Sequence, residues 1–387
     1  MVERQTDLRV CHVIHSLREG GAEHLLVTLA QAASQVRLEM TVLSLMPHEG
    51  LSYTRQLSDL GVRVVGLELA TRWDARGLLH ARQAIRDIAP DVVHSHLKHA
   101  DLVGAFAART LGIPLVSTLH VIEDAPSPLG RFKRRLAGEA RLRIADRTIA
   151  VSEAQRRWYT AAFAANHDRV VTLHNAVRPA PSIDPEARLR LRASLGVNQN
   201  EIMMVMVAIM RPGKGHEDAL AAMERIPDSL GVHLVFAGDG PQRPALEDLA
   251  HRSPAAPRLR FPGFVEDVPT LLAAADLVVQ PSHFDALPTT LIYALAAGVP
   301  AIATGVGGIP EIVTPEVGCL VPPAQPNALA QAIESLAADA DVRRQMGTAA
   351  RQRFEAHFQA SVWAEKLRVL YEDVVGRGAL RSLRTRR

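Results

Sequence analysis

The stretch Asp276–Glu311, DLVVQPSHFDALPTTLIYALAAGVPAIATGVGGIPE, decides the fold. Leu277-Val278-Val279 is a short apolar run of the kind that forms a buried strand. A polar turn follows, Pro281-Ser282-His283-Phe284-Asp285, then Ala286-Leu287-Pro288-Thr289-Thr290 and an apolar helix to Ala297. Gly298-Val299-Pro300 ends that helix, and Ala301-Ile302-Ala303 starts a second strand. Proline lacks an N–H and is tolerated at the first helical position, so Pro288 is predicted to mark the helix start. The unpaired amides around Leu287, Thr289 and Thr290 then point out of the strand's carboxyl end, a place suited to phosphate. Asp285, just before them, is placed to accept hydrogen bonds from a ligand hydroxyl. Residues 286–310 carry no charge, but Pro288, Pro300, Pro310 and the four glycines after Ala297 argue against a single spanning helix. A buried β-α-β unit without a ligand has the same pattern, so the rest of the chain must decide.

That rest is ordinary globular sequence, 48% hydrophobic and 22% charged over 387 residues, long enough for two domains. A net charge of +3 and 4% aromatic residues give neither a nucleic-acid signature nor base-stacking platforms. Cys11 and Cys319 lie in apolar runs and read as reduced core residues, not a disulfide framework. The opening MVERQTDLRV has charges where a signal peptide has its apolar region, so a cytoplasmic location is expected.

Strand-like and helix-like runs alternate almost throughout, which predicts α/β architecture with parallel sheets. Leu8–His15 reads as the first strand, and its loop, with Gly20 and Gly21, opens a helix to about Ala33. Adjacent glycines allow close backbone approach, or simply a tight turn, and do not make a GxGxxG fingerprint. Further strands are expected at 39–45, 63–67, 91–95, 114–119, 147–151 and 169–173. The proline-rich 178–186 reads as a linker. A second set follows, with strands at 202–209, 232–237 and 258–262 and helices at 216–225, 241–252 and 267–274. Terminal helices are expected at 326–336, 340–355 and 358–375, with a frayed basic tail from Gly376 to Arg387. The prediction is two doubly wound parallel-sheet domains facing across a cleft, residues 1–178 and 187–357, with the helix from about 358 packing back on the first.

Ligands in such sheets bind outside the carboxyl ends of strands. Arg211 and Lys214 follow the strand at 202–209 and offer a fork and a point charge to a diphosphate. Gly238 and Asp239 form a tight turn after the strand at 232–237. Each loop alone reads equally well as a solvated turn; their convergence with Asp285 and the Pro288 helix end points to a site.

Nearly end to end the chain resembles the GT-B retaining glycosyltransferases of family 4, the group also called group 1. The resemblance is carried by Gly20-Gly21-Ala22-Glu23, Pro90 to His96, Val116 to His120, Ala150 to Glu153, Leu173-His174-Asn175, Arg211 to Gly215, Ala237 to Pro241 and the 276–311 stretch. It implies a nucleotide-diphosphate sugar as co-substrate, a glycan or lipid-linked acceptor, retention of anomeric configuration, and no metal or other cofactor. Carried onto this chain, it gives Asp285 the sugar hydroxyls. Ala286, Leu287, Pro288, Thr289 and Thr290 form the diphosphate segment, and Lys214 receives the leaving group. His120 becomes a contact to the sugar from the first domain, and Gly20-Gly21 closes over phosphates or acceptor. Gly238 and Asp239 complete the donor side.

The chain also departs from that pattern. Asp285 stands where a glutamate is usual, Ala286 replaces a glycine, and Tyr293 replaces the glutamate that would hold the ribose. Exchanging a charge-assisted hydrogen bond for a neutral one loses ~1–1.5 kcal/mol, about five- to tenfold in donor affinity. Ile209 stands where a phosphate-binding arginine is usual. A degenerate donor-binding scaffold that partners an active transferase is therefore a competing reading, and a sugar-nucleotide epimerase a third. His94, His96 and His99 match no strong zinc template and read as a strand-end cluster facing the cleft. Arg131–Arg147, with seven basic and two acidic residues, is either a solvated helix face or an attachment to an anionic membrane.

Overall fold

The computed structural model describes residues 7–18, 20–67, 75–96, 98–120, 138–139, 141–163 and 167–385, with side chains at 75, 98 and 378–385 outside that description. Its strands are the Val-, Ile- and Leu-rich runs: β1 Leu8–Ile14, β2 Leu38–Ser44, β3 Arg63–Gly66, β4 Val92–His96, β5 Leu115–Leu119, β6 Arg147–Ala150 and β7 Val170–Thr172. The second series is β8 Ile202–Val207, β9 Val232–Ala237, β10 Leu259–Gly263, β11 Leu277–Gln280, β12 Ala301–Thr304 and β13 Gly318–Val321. All pairings within the two sheets are parallel. The sheet orders are β3-β2-β1-β4-β5-β6-β7 and β10-β9-β8-β11-β12-β13, the doubly wound arrangement predicted from the alternation. In each sheet the order reverses beside the first strand, where a crevice forms at the carboxyl ends.

The chain divides into two units, residues 1–176 with 360–387, and residues 177–359. Alternation along the strands sorts each unit's core into faces. In the first unit Val10, Ile14, Val92 and Val116 pack under helix Gly21–Ala33 and helix Ala360–Thr385, while Cys11, Val13, Leu43 and Val93 pack on the other side. The last helix is fixed by Tyr371, fully buried, whose hydroxyl is 2.6 Å from His94 Nδ1. Arg368 also caps the carbonyls of Val36 and Arg37 at 2.7 Å. In the second unit Met204, Met206, Phe236, Leu277, Val279 and Ile302 form one continuous apolar layer.

Four readings of the sequence need correction. The linker predicted over 178–186 ends early, because Asp184 caps helix Pro185–Ser194 by accepting the Ala187 N–H at 3.1 Å. Its proline is an N-terminal helix residue, not a linker marker. The tail predicted to fray from Gly376 is helical to Thr385, since a glycine interrupts a helix only weakly when neighbouring turns continue it. β13 went unpredicted, being four residues that start on glycine. Cys319 on β13 is half-exposed rather than core, whereas Cys11 is buried.

Among the described residues, no helix is long and apolar enough to cross a membrane. Of the basic stretch 131–147, residues 131–137 and 140 lie outside the described residues. Within its described part, Arg141 is committed to Asp101 at 2.5 Å and Arg147 to Asp373 at 2.8 Å.

Candidate functional site

The loops that leave the carboxyl ends of the second sheet are tied to one another by backbone hydrogen bonds. Loop 208–215 after β8 meets the loop after β9 through Met210 N–H to Asp239 O (2.8 Å) and Gln242 N–H to Met210 O (2.9 Å). It meets the loop after β11 through His283 N–H to Gly213 O (2.8 Å). Two glycines allow this closeness. Gly215 has φ +80°, and a Cβ there would lie 1.9 Å from the Pro281 carbonyl oxygen. Gly307, at φ +52°, would place a Cβ 1.8 Å from the Asp285 carbonyl oxygen.

On this base Lys214 Nζ donates to Asp285 Oδ2 at 2.6 Å, with side chains 15% and 13% exposed. The Ser282 hydroxyl donates to the same oxygen at 3.5 Å and accepts from Gln280 Nε2 at 2.8 Å. Helix Thr289–Ala297 begins immediately beyond. Pro288 is its N-cap (φ −70°, ψ 116°), one residue before the predicted role, because its extended ψ still belongs to the loop. Among the described residues no side chain caps this end, and an uncapped helix N-terminus is in general a place that suits an anion. The Thr290 hydroxyl donates to Val207 O at 3.2 Å and locks the helix start to the end of β8. Ala286 and Leu287 are buried. Beside Lys214, burial and then the lysine's charge push His216 down to about 4, which keeps that imidazole neutral.

The other predicted donor residues are less central. Arg211 is exposed, and Ile209 is 52% exposed on the same loop. Asp239 spends its carboxylate on Gly240 N–H (2.6 Å) and Arg243 (3.2 Å), so it stabilises the turn that Gly238 begins. Tyr293 is 7% exposed on the second turn of its helix. Ser282 and Gln280, which brace Asp285, were not singled out in the sequence, where nothing distinguishes them from ordinary turn residues.

In the first unit Gly20 caps helix Gly21–Ala33, and a Cβ on Gly20 would meet the Glu23 carboxylate. Glu23 itself is buried, which raises its carboxyl to about 6. His120, half-buried just beyond β5, belongs to a histidine cluster. His12 Nδ1 is 3.0 Å from His96 Nε2, and His96 Nδ1 is 3.0 Å from His120 Nε2. His94 lies beside them, its ring nitrogens 2.6 Å from Tyr371 Oη and 2.7 Å from Thr118 Oγ1. The expected trio of His94, His96 and His99 is not one group, because His99 lies beside His15 instead, the rings tilted with centroids 5.0 Å apart. His12 takes its place: β1 pairs with β4 so that His12 is opposite His94 and Ile14 opposite His96. Parity within strands hints at this, but the register that brings His12 in is not written in local sequence. His12, His94 and His96 each offer a nitrogen within 4.8 Å of the others. Both ring nitrogens of His94 and of His96 are within hydrogen-bond distance of other side chains. The residues line a small concavity walled by leucines of helix Gly21–Ala33 and by Trp363 and Leu367.

Comparison with known proteins adds an independent line. The model of group 1 glycosyl transferases matches residues 187–353, and that of glycosyltransferase family 4 matches residues 19–180. A D-inositol 3-phosphate glycosyltransferase of Segniliparus rotundus is 30% identical over 317 residues, 76% of this chain and 68% of that one. An uncharacterized glycosyltransferase of Methanocaldococcus jannaschii is 28% identical over 264 residues, 64% of this chain and 66% of that one. The chain thus spans about two thirds of the length of these relatives. In fold it is similar to Anabaena HepE, solved with UDP-glucose, at a TM-score of 0.82 and 24% identity, covering 95% of this chain and 99% of that one.

Proposed function

Since the chain belongs to the group 1, family 4 glycosyltransferases and has their GT-B fold, we propose that it transfers a sugar from a nucleotide-diphosphate sugar, with retention and without a metal, to a glycan or lipid-linked acceptor. The observation that carries this reading is the meeting of Lys214, Asp285 and an uncapped helix N-terminus on loops tied together at one sheet end. A departing diphosphate gathers negative charge, and an ammonium with aligned amides stabilises that charge more in the transition state than in the bound donor. Asp285 accepts hydrogen bonds from donor-sugar hydroxyls, which hold the reacting carbon in place. On the first unit, His120 is assigned as a substrate contact. The Anabaena protein's UDP-glucose makes a UDP-sugar the first donor to try. The product serves cell-surface polysaccharide or glycolipid synthesis, on the cytoplasmic side of a membrane that the basic segment 131–147 touches.

The test is calorimetric titration of nucleoside diphosphates and their sugar conjugates, UDP-linked sugars first, into the wild-type chain, Asp285→Ala and Lys214→Ala. Binding of one nucleotide sugar that both variants lose supports the reading. Absence of binding by every nucleotide sugar favours the second reading, a donor-site scaffold beside an active transferase, which Tyr293 and the exposed Ile209 motivate. Sedimentation with anionic vesicles at low salt decides the membrane contact, and failure to sediment removes it.

A further inference from the structure

The histidine cluster under the first sheet's helices does more than fill space. Burial lowers all four imidazoles, His12 to about 3, His120 to about 4, and His94 and His96 well below their ordinary value, so each is neutral near pH 7. A neutral imidazole has one N–H and one lone pair. His96 hydrogen-bonds through both nitrogens to other imidazoles, so it must donate to one neighbour and accept from the other. The row His12–His96–His120 therefore has only two possible polarities, and choosing one end fixes the other.

The inner end decides. His12 is fully buried, its Nδ1 faces His96, and its Nε2 has no partner among the described residues. If the row ran from His120 inward, His12 would carry its proton on Nε2 and leave a buried N–H without a partner among the described residues. If it runs outward, the unpartnered atom is a bare ring nitrogen. Buried N–H groups are almost never left unpaired, whereas under-used acceptors are tolerated more often. The outward polarity wins: His12 Nδ1–H donates to His96 Nε2, and His96 Nδ1–H donates to His120 Nε2. His94 does not compete, because hydroxyls of Tyr371 and Thr118 occupy both of its nitrogens.

We propose that His12 and His96 are positioning residues that hold His120 in one tautomer, protonated on Nδ1, so that it offers a hydrogen-bond donor to an oxygen of the bound substrate. The group it suits is a sugar hydroxyl or ring oxygen acting as acceptor. The substrate part rests on the transferase reading above; the tautomer does not.

The experiment is two-bond proton–nitrogen correlation spectroscopy of the full chain with ring-labelled histidine, at pH 7, on wild type and His96→Phe. The expected wild-type spectrum shows His120 protonated on Nδ1 with a bare Nε2, and His96→Phe loses that pattern. His120 protonated on Nε2 in the wild type overturns the proposal, and this needs no variant to fold. An unchanged His120 pattern in a folded His96→Phe chain also overturns it, as does about one bound metal ion per purified chain, which would claim the same lone pairs. UDP-sugar titration of the same sample separates the two layers. An Nδ1-protonated His120 in a chain that binds no nucleotide sugar sinks the transferase reading and leaves the row standing; binding with the opposite tautomer does the reverse.

Discussion

Lys214 and Asp285 lie on neighbouring loops of the second sheet and form a 2.6 Å ion pair largely withdrawn from water. Two such charges cost desolvation, and each makes the other bearable. Removing one partner strands the other, so Lys214→Ala and Asp285→Ala are each expected to destabilise the unit by about 1–3 kcal/mol. The double variant Lys214→Ala, Asp285→Ala should lose less than the sum. Urea midpoints for the four proteins of the cycle measure this, and strictly additive losses would mean that the pair stabilises nothing.

The same two residues should part company in ligand binding. Lys214 is assigned to the diphosphate, which UDP and a UDP-sugar share. Asp285 is assigned to the sugar, which UDP lacks. Lys214→Ala is therefore expected to weaken both ligands about tenfold or more, consistent with a charge-assisted contact. Asp285→Asn should weaken only the UDP-sugar by a similar factor. Equal losses of UDP in both variants would move Asp285 from the sugar to the phosphates.

Much of this arrangement was legible in the sequence, and what was not has a physical reason. The strands β8, β9, β11 and β12 announce themselves as apolar runs because parallel strands are buried on both faces. Lys214 and Asp285 stand out because each follows such a run. Gly215 and Gly307 were visible as glycines, but their need for φ above zero comes from the Pro281 and Asp285 carbonyls that they approach from a distance in sequence. The helix from Pro185 was misread through its proline, although Asp184-Pro185 is an N-cap followed by a favoured first residue. His12 was missed because pairing register between strands, here His12 opposite His94, is a tertiary fact.

Tyr293 stands where the family pattern places a ribose-binding carboxylate, and it is nearly buried. Tyr293→Glu should strengthen UDP-sugar binding about five- to tenfold if the ribose lies there, reversing the loss expected from exchanging a charged acceptor for a neutral group. The same change puts a carboxylate into a mostly dry position, so the free protein should melt lower, and UDP should restore part of the difference. A lower melting temperature without any gain in affinity would place the ribose elsewhere and strengthen the scaffold reading.

The histidine row has a consequence for acid stability. Unfolded, each histidine takes up a proton near pH 6.5; folded, His12 resists to about 3 and His120 to about 4, in both cases through burial. Below pH 6.5 the unfolded chain binds more protons than the folded one, so stability rises with pH there and is lost as the pH falls from 6.5 towards 4. Each such proton is worth about 1.4 kcal/mol per pH unit. Glu23 opposes this over a narrower range, because its carboxyl, raised by burial to about 6, lets the folded state hold a proton that the unfolded chain releases above 4.5. His12→Gln isolates the histidine contribution by removing one titrating ring while Glu23 stays. Between pH 6 and pH 4.5 the unfolding free energy of the variant should fall less steeply than that of the wild type, by roughly one proton's slope. Parallel curves from urea melts at each pH would show that His12 is protonated in the folded protein, contrary to its burial.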